Sequence, residues 1–159
     1  MNVRFKMKKL FLLLAVAMLC VSCGRKVLLD ETHIFDNDTW YRFEPEKYKV
    51  QVNNTEKGYV ITATLKYDTA RLSGDVLPLL LDFYIDSTEL HNFTPQIRLF
   101  DKKGMRRGAT IGQYCTVTDT LDRYRIYNKT GNYTYSIKHR TSKYEINGVT
   151  SLGLKIEEF

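Results

Sequence analysis

Cysteine is scarce in this chain: three in 159 residues. Two of them, Cys20 and Cys23, sit at the end of an apolar leader. That leaves Cys115 for the rest of the chain, which excludes an intramolecular disulfide and any zinc site built from several thiolates. Three prolines and nine glycines are too few for a collagen-like or low-complexity chain. No His-x-x-x-His or His-Glu-x-x-His spacing occurs among His33, His91 and His139, so a zincin site is absent. No Gly-x-Ser-x-Gly elbow and no phosphate-cradling glycine loop is present. The longest apolar run, residues 10–21, is short of the roughly 20 residues that cross a bilayer.

Positive charge is also less plentiful than it first looks. The formal charge is +6, from 24 Lys and Arg against 18 Asp and Glu. Arg4, Lys6, Lys8 and Lys9 stand in the first nine residues with no acid nearby. Without them the balance is close to neutral, which excludes the footprint of a general nucleic-acid binder.

What is present begins with an address. A basic opening followed by the apolar run 10–21 is a signal-peptide pattern, expected to be helical. It ends Leu19-Cys20-Val21-Ser22-Cys23-Gly24, and a small residue before a cysteine in that place looks like a bacterial lipobox. The expectation is a signal peptide over 1–22, cleavage before Cys23, and acylation of Cys23. Durable anchoring takes more than one acyl chain. Gly24 after the cysteine, in place of an inner-membrane-retaining Asp, points to the outer membrane. The non-acidic Gly24-Arg25-Lys26 points to its periplasmic face. Residues 23–34 then read as the lipidated cysteine and a tether, with a short strand at Val27–Leu29. The folded domain is expected over 35–159.

The domain reads as strands. Tyr59 to Tyr67 alternates, with Tyr59, Ile61, Ala63, Leu65 and Tyr67 on one face. Tyr48–Val52 precedes it across a turn-forming segment, so 48–67 is a hairpin candidate. Val76–Ile85, Gln96–Phe100, Tyr114–Leu121, Tyr133–Lys138 and Ser151–Glu157 are further strands. Leu152, Leu154 and Ile156 of the last should point inward. Pro78 belongs near a strand start or on an edge. No amphipathic helix follows residue 23. The expected fold is all-β, an antiparallel two-sheet sandwich of jelly-roll or immunoglobulin-like type.

The chemistry is sparse. Asp82 and Asp86 would lie roughly 13 Å apart along a strand, beyond the range of a glycosidase carboxylate pair. No catalytic residue, cofactor or metal is expected, and the chain does not read as an enzyme. Lys102, Lys103, Arg106 and Arg107 crowd one turn. They are either a solvated tip or a docking patch for an acidic partner or anionic headgroups, each basic residue contributing about 1 kcal/mol at an anionic surface. Trp40 and Tyr41, if exposed, would suit a sugar ring; if not, they are packing. Three tripeptides beginning at Asp68, Asp86 and Asp119 fit a bacterial O-glycosylation pattern, with Thr69, Ser87 and Thr120 as acceptors at expected strand ends or turns. Cys115 reads as a buried small hydrophobe.

A resemblance emerges from the order of several short motifs. Gly148-Val149-Thr150-Ser151-Leu152-Gly153-Leu154-Lys155-Ile156-Glu157 resembles the closing motif of the gliding-motility lipoprotein GldH family. Gly131-Asn132-Tyr133-Thr134-Tyr135 resembles the strand before it, Asp101-Lys102-Lys103-Gly104 its Asp-x-x-Gly turn, and Trp40 an early tryptophan. Ser151 stands where the closing motif has an acid, and Leu72 to Leu81 replaces an Asn- and Tyr-Pro-rich segment. The resemblance implies a non-enzymatic lipoprotein of the Bacteroidetes envelope, an accessory of gliding and type IX secretion machinery with envelope proteins as partners. A glycan-binding lipoprotein using exposed aromatics is the alternative.

Overall fold

The computed structural model describes residues 25–86 and 88–159. The signal peptide, Cys23 and Ser87 lie outside the described residues.

The chain is built of β-strands joined by turns, with one 3-10 turn at Asp36–Asp38 and no α-helix among the described residues. The strands are β1 (Val27–Ile34), β2 (Thr39–Tyr41), β3 (Glu46–Val52), β4 (Gly58–Asp68), β5 (Val76–Ile85) and β6 (Thr88–Phe93). They continue with β7 (Gln96–Arg98), β8 (Ala109–Ile111), β9 (Tyr114–Ile126), β10 (Gly131–His139), β11 (Glu145–Asn147) and β12 (Val149–Glu158). One sheet runs β1-β12-β4-β9-β8, the other β3-β10-β5-β6, with β7 also on β5 and a small ribbon of β11 and β2. Every pairing is antiparallel. Setting aside the three-residue strands, consecutive strands enter the two sheets in the order of a jelly roll rather than of an immunoglobulin domain.

The core follows from alternation. Tyr59, Ile61, Ala63, Leu65 and Tyr67 of β4 are all buried, as are Leu79, Leu81 and Phe83 of β5 and Leu152, Leu154 and Ile156 of β12. These faces join Tyr48, Val50, Val52, Tyr135 and Ile137 of the other sheet in a single cluster. Burial of side chains this large stabilises by about 1.5–3 kcal/mol each relative to exposure. The Tyr48 hydroxyl crosses between the sheets and donates to the Leu152 carbonyl at 2.7 Å. Burial, with Glu46 nearby, pushes that phenol well above its ordinary range.

Two expectations are corrected here. Residues 48–67 are not a hairpin: β3 pairs with β10, while β4 pairs with β12 and β9. Alternation assigns a strand's faces but not its partner, and β3 and β4 turn their apolar faces to the core from opposite sheets. The supposed tether is also largely strand. β1 covers eight residues and pairs with β12 from Val27 to Ile34. Its pattern is weak because it is an edge, with only Leu28 and Leu29 packed against the core and Asp30 and Glu31 facing solvent.

The strand directions give the domain two ends. Val27, Gly58, Ile126 and Phe159 meet at one, through the pairs Val27–Glu157 and Gly58–Ile126 and the hydrogen bond from Phe159 N–H to Gly58 O. Ile34, Tyr67, Asp68 and Tyr114 lie toward the other. The eleven residues of β4 separate them by roughly 30 Å.

Candidate functional site

The exposed large apolar side chains among the described residues sort onto these two ends. Val27, Tyr124, Ile126 and Phe159 are at the first end, which is also where the chain emerges from Cys23. Ile34, Phe43, Val76, Met105, Ile111 and Tyr144 are at the second. The strand faces between them carry none of these residues. The second end is therefore the candidate site.

Its platform is the β2·β11 ribbon. Trp40 pairs with Ile146 in that ribbon and is completely buried. Phe35 stacks on it at 5.1 Å and His139 meets it edge-on at 5.4 Å. Trp40 is thus not available to a sugar, contrary to the exposed stacking ring considered above. It closes the core, and its apolar ring finds more surface there than the neighbouring Asp38 and Thr39 would suggest. Tyr41, the other ring of that pair, is half-buried and points to the outer side of the ribbon.

Two residues that sequence reasoning missed complete the surface. Phe43 and Tyr144 are exposed, with ring centroids 5.8 Å apart, and Tyr41 lies 5.8 Å from Tyr144. Arg42 holds its guanidinium over Phe43 at 5.8 Å. Beside them opens a cleft of about 410 Å³ lined by Arg42, Phe43, Lys138 and Arg140. The available signal was a large aromatic inside each of two polar loops, Arg42–Pro45 and Thr141–Tyr144, where solvation alone would not select one.

The basic turn stands at the same end but is not a uniform patch. Asp101 organises it: its carboxylate accepts from the N–H groups of Lys103 and Met105, each at 2.8 Å, and Gly104 adopts a φ of +76° to close the turn. Lys102 and Lys103 are exposed at the tip. Arg106 and Arg107 are half-buried and structural. Arg106 lies over the Phe100 ring at 4.8 Å and donates to the Tyr67 hydroxyl at 3.0 Å. Arg107 donates to the Asp119 carboxylate at 2.7 Å. The exposed charge of the turn therefore comes from Lys102 and Lys103.

Asp119 is firmly held in its charged form. Burial opposes its ionisation, but hydrogen bonds from Arg107 and from the backbone and side chain of Arg98 hold its pKa at about 2. Cys115 is buried and directs its thiol to the Arg107 carbonyl at 3.2 Å.

The proposed acceptors have unlike settings. Thr69 is half-buried in the turn after β4, its N–H bonded to the Gln113 carbonyl. Thr120 is exposed but lies within β9, paired with Thr62, rather than at a strand end. The acid before it, Asp119, is occupied by the two arginines. Ser87 and Cys23 fall outside the described residues.

Of the histidines, His33 lies on β1 and bonds Glu46 of β3 at 2.5 Å, tying the two sheets. His139 is buried in β10, and burial lowers its pKa. Among the described residues no group of three or more His, Cys, Asp or Glu is placed to hold a metal ion. None of their helices is long and apolar enough to cross a membrane.

The family described as GldH lipoprotein matches residues 27–156. No curated protein matches the chain. Among solved structures, the Eiger TNF of S. frugiperda is similar with 10% identity and a TM-score of 0.44, over 85% of this chain and 94% of that one. Latent PorU from Porphyromonas gingivalis is similar with 8% identity and a TM-score of 0.34, over 86% of this chain and 14% of that one. The Cry8Ea1 delta-endotoxin of Bacillus thuringiensis is similar with 15% identity and a TM-score of 0.34, over 72% of this chain and 19% of that one. At such scores these likenesses carry no argument about function.

Proposed function

The chain belongs to the GldH lipoprotein family, a family of gliding-motility type that is not an enzyme family, and on that premise we propose that it is a membrane-anchored accessory whose far end docks a protein of a gliding or type IX secretion assembly. The observation that carries this reading is the sorting of exposed apolar side chains to the two ends. A folded monomer gains nothing from leaving the Tyr41–Tyr144–Phe43 cluster in water, and such a patch marks an interaction surface. Lys102 and Lys103 at the same end favour an acidic partner. The anchor is acylated Cys23 in the outer membrane, with the domain in the periplasm; Gly24 and the lack of an acid directly after Cys23 support that placement.

Affinity purification of the native lipoprotein in mild detergent, with mass spectrometry of what accompanies it, tests the reading. Recovery of gliding or secretion components by the wild type, and their loss with Phe43→Ser and Tyr144→Ser combined, supports it. Recovery of the same components by both proteins counts against the far end.

Glycan binding is the second reading. The Tyr41–Tyr144–Phe43 cluster beside the cleft favours it, since neighbouring tilted rings with cations at their edge suit an acidic sugar. Glycan retained by the wild type in place of protein partners would move the assignment there. Glycan carried covalently on Thr69, Ser87 or Thr120 is a separate expectation, and the mass of the native protein tests it.

A further inference from the structure

We infer that the Val27 end is a membrane seat: Tyr124, Ile126 and Phe159, with Arg25 and Lys26, rest in the headgroup layer of the bilayer that holds the anchor. This rests on the anchored reading and goes beyond it, because a lipid tether alone leaves the domain free to swing.

Chain length supplies the first argument. One residue, Gly24, separates Cys23 from Arg25. Two residues of extended chain span about 7 Å at most. From Lys26 onward the backbone is fixed, since the Lys26 carbonyl accepts from Glu158 N–H at 2.8 Å and β1 begins at Val27. An acyl chain at Cys23 therefore draws this end, and no other part of the domain, to the bilayer surface.

The surface found there suits that position. Tyr124 is 58% exposed, Ile126 52% and Phe159 66%. Tyr124 meets Phe159 edge-on at 5.7 Å, and Arg25 lies over the Phe159 ring at 5.5 Å. The rings are held rather than loose. The Tyr124 ring packs against Gly58, where any Cβ would collide with it, and Phe159 is bonded to the Gly58 carbonyl through its N–H at 2.8 Å. An amphipathic tyrosine beside an isoleucine and a phenylalanine is the composition of a membrane-interface belt.

Charge agrees with this placement. Arg25, Lys26, Lys57 and Arg123 are exposed around the rings. The acids nearby are largely matched: Asp122 pairs with Arg125 at 2.6 Å and Glu157 with Lys155 at 2.8 Å. Glu56 and Glu158 leave the cations in excess, which favours anionic lipid. A protein partner on this end would have to fit within the reach of the anchor. The bilayer is therefore the occupant we assign.

The test uses the purified mature lipoprotein in vesicles of phosphatidylethanolamine and phosphatidylglycerol whose acyl chains are brominated close to the headgroups. Tyr124→Trp and Phe159→Trp report on the seat, and Tyr144→Trp on the opposite end. Trp40, buried, gives the same background in each. The expected result is loss of the added emission at positions 124 and 159 and no loss at 144. An intact mass is taken on the same samples. Acylated protein with both seat reporters unquenched overturns the seat and leaves the anchor standing. A mass without acyl chains overturns the anchor, and the seat with it. Two separate reporters guard against one variant failing to fold.

Discussion

Arg107 donates to Oδ2 of Asp119 at 2.7 Å, and the same oxygen accepts the backbone N–H of Arg98 at 3.0 Å. An arginine that the sequence left between a solvated tip and a docking patch is thus committed to the fold. It fastens the basic turn to β9 and leaves the tip to Lys102 and Lys103. Gly108, just beyond, sits at a φ of +88° with the Thr116 carbonyl where a side chain would begin.

Asp119→Asn should therefore destabilise the domain without touching partner binding directly. Asp119 is buried while the Arg98 and Arg107 side chains keep 54% and 27% of their surface exposed, so the variant loses the carboxylate's charged hydrogen bonds and leaves both cations partly hydrated, and the expected loss is about 2 kcal/mol. Urea unfolding of the variant beside the wild type at pH 7 measures it. Lys102→Gln with Lys103→Gln should leave stability within about 0.5 kcal/mol of wild type.

Acid should weaken the fold in two separable steps. His139 has its folded pKa below the ordinary value, so its neutral form belongs to the fold. Its contribution is present above about pH 6.5 and is lost as pH falls below that. Asp119, held at about 2, contributes above about pH 4 and loses that contribution between about 4 and 2, worth about 2 kcal/mol. His139→Phe should flatten the first step and leave the second. The urea midpoint followed from pH 7.5 down to the acid limit checks both, and a first step unchanged in His139→Phe would assign it elsewhere.

Gly148→Ala should cost about 2 kcal/mol or more. Gly148 has a φ of +90°, and an added Cβ would lie 2.6 Å from the Arg71 Cβ and 3.0 Å from the Leu72 nitrogen. Its N–H also bonds the Asp38 carbonyl at 2.7 Å. Thermal unfolding of the variant reads the effect. The first glycine of the closing motif thus has a backbone reason for being glycine.

Thiol counting tests two readings together. Buried Cys115 should be inert to a thiol reagent in the native lipoprotein and react once it is unfolded. Acylated Cys23 should not react in either state. The expected count is none native and one unfolded; a second thiol on unfolding would show Cys23 unmodified.

The core was largely legible in the sequence. Strict alternation in β4 and β12 identified the buried faces of Tyr59–Tyr67 and Leu152–Ile156, because each strand buries one face and wets the other. What alternation does not carry is the partner of each strand. Hence β3 and β4 read as a hairpin when they belong to opposite sheets. β1 was hidden because an edge strand needs backbone bonds more than apolar contacts. The candidate site was legible only in part. The Asp101–Gly104 turn announced itself by composition, but the roles of Arg106 and Arg107 depend on Tyr67 and Asp119, which are remote in the chain. Trp40 was left open between a sugar-stacking ring and packing, because its neighbours are polar and the rings that enclose it, Phe35 and His139, lie outside its own strand. Phe43 and Tyr144 meet only once β2 and β11 pair.

On this reading the domain has a bilayer-facing end and a partner-facing end. Site-specific photocrosslinking in living cells tests it most directly, with one photoreactive residue in place of Tyr124 and, in a second strain, one in place of Phe43. Lipid adducts are expected from position 124 and a discrete protein adduct from position 43. Protein adducts from position 124 together with lipid adducts from position 43 would contradict it.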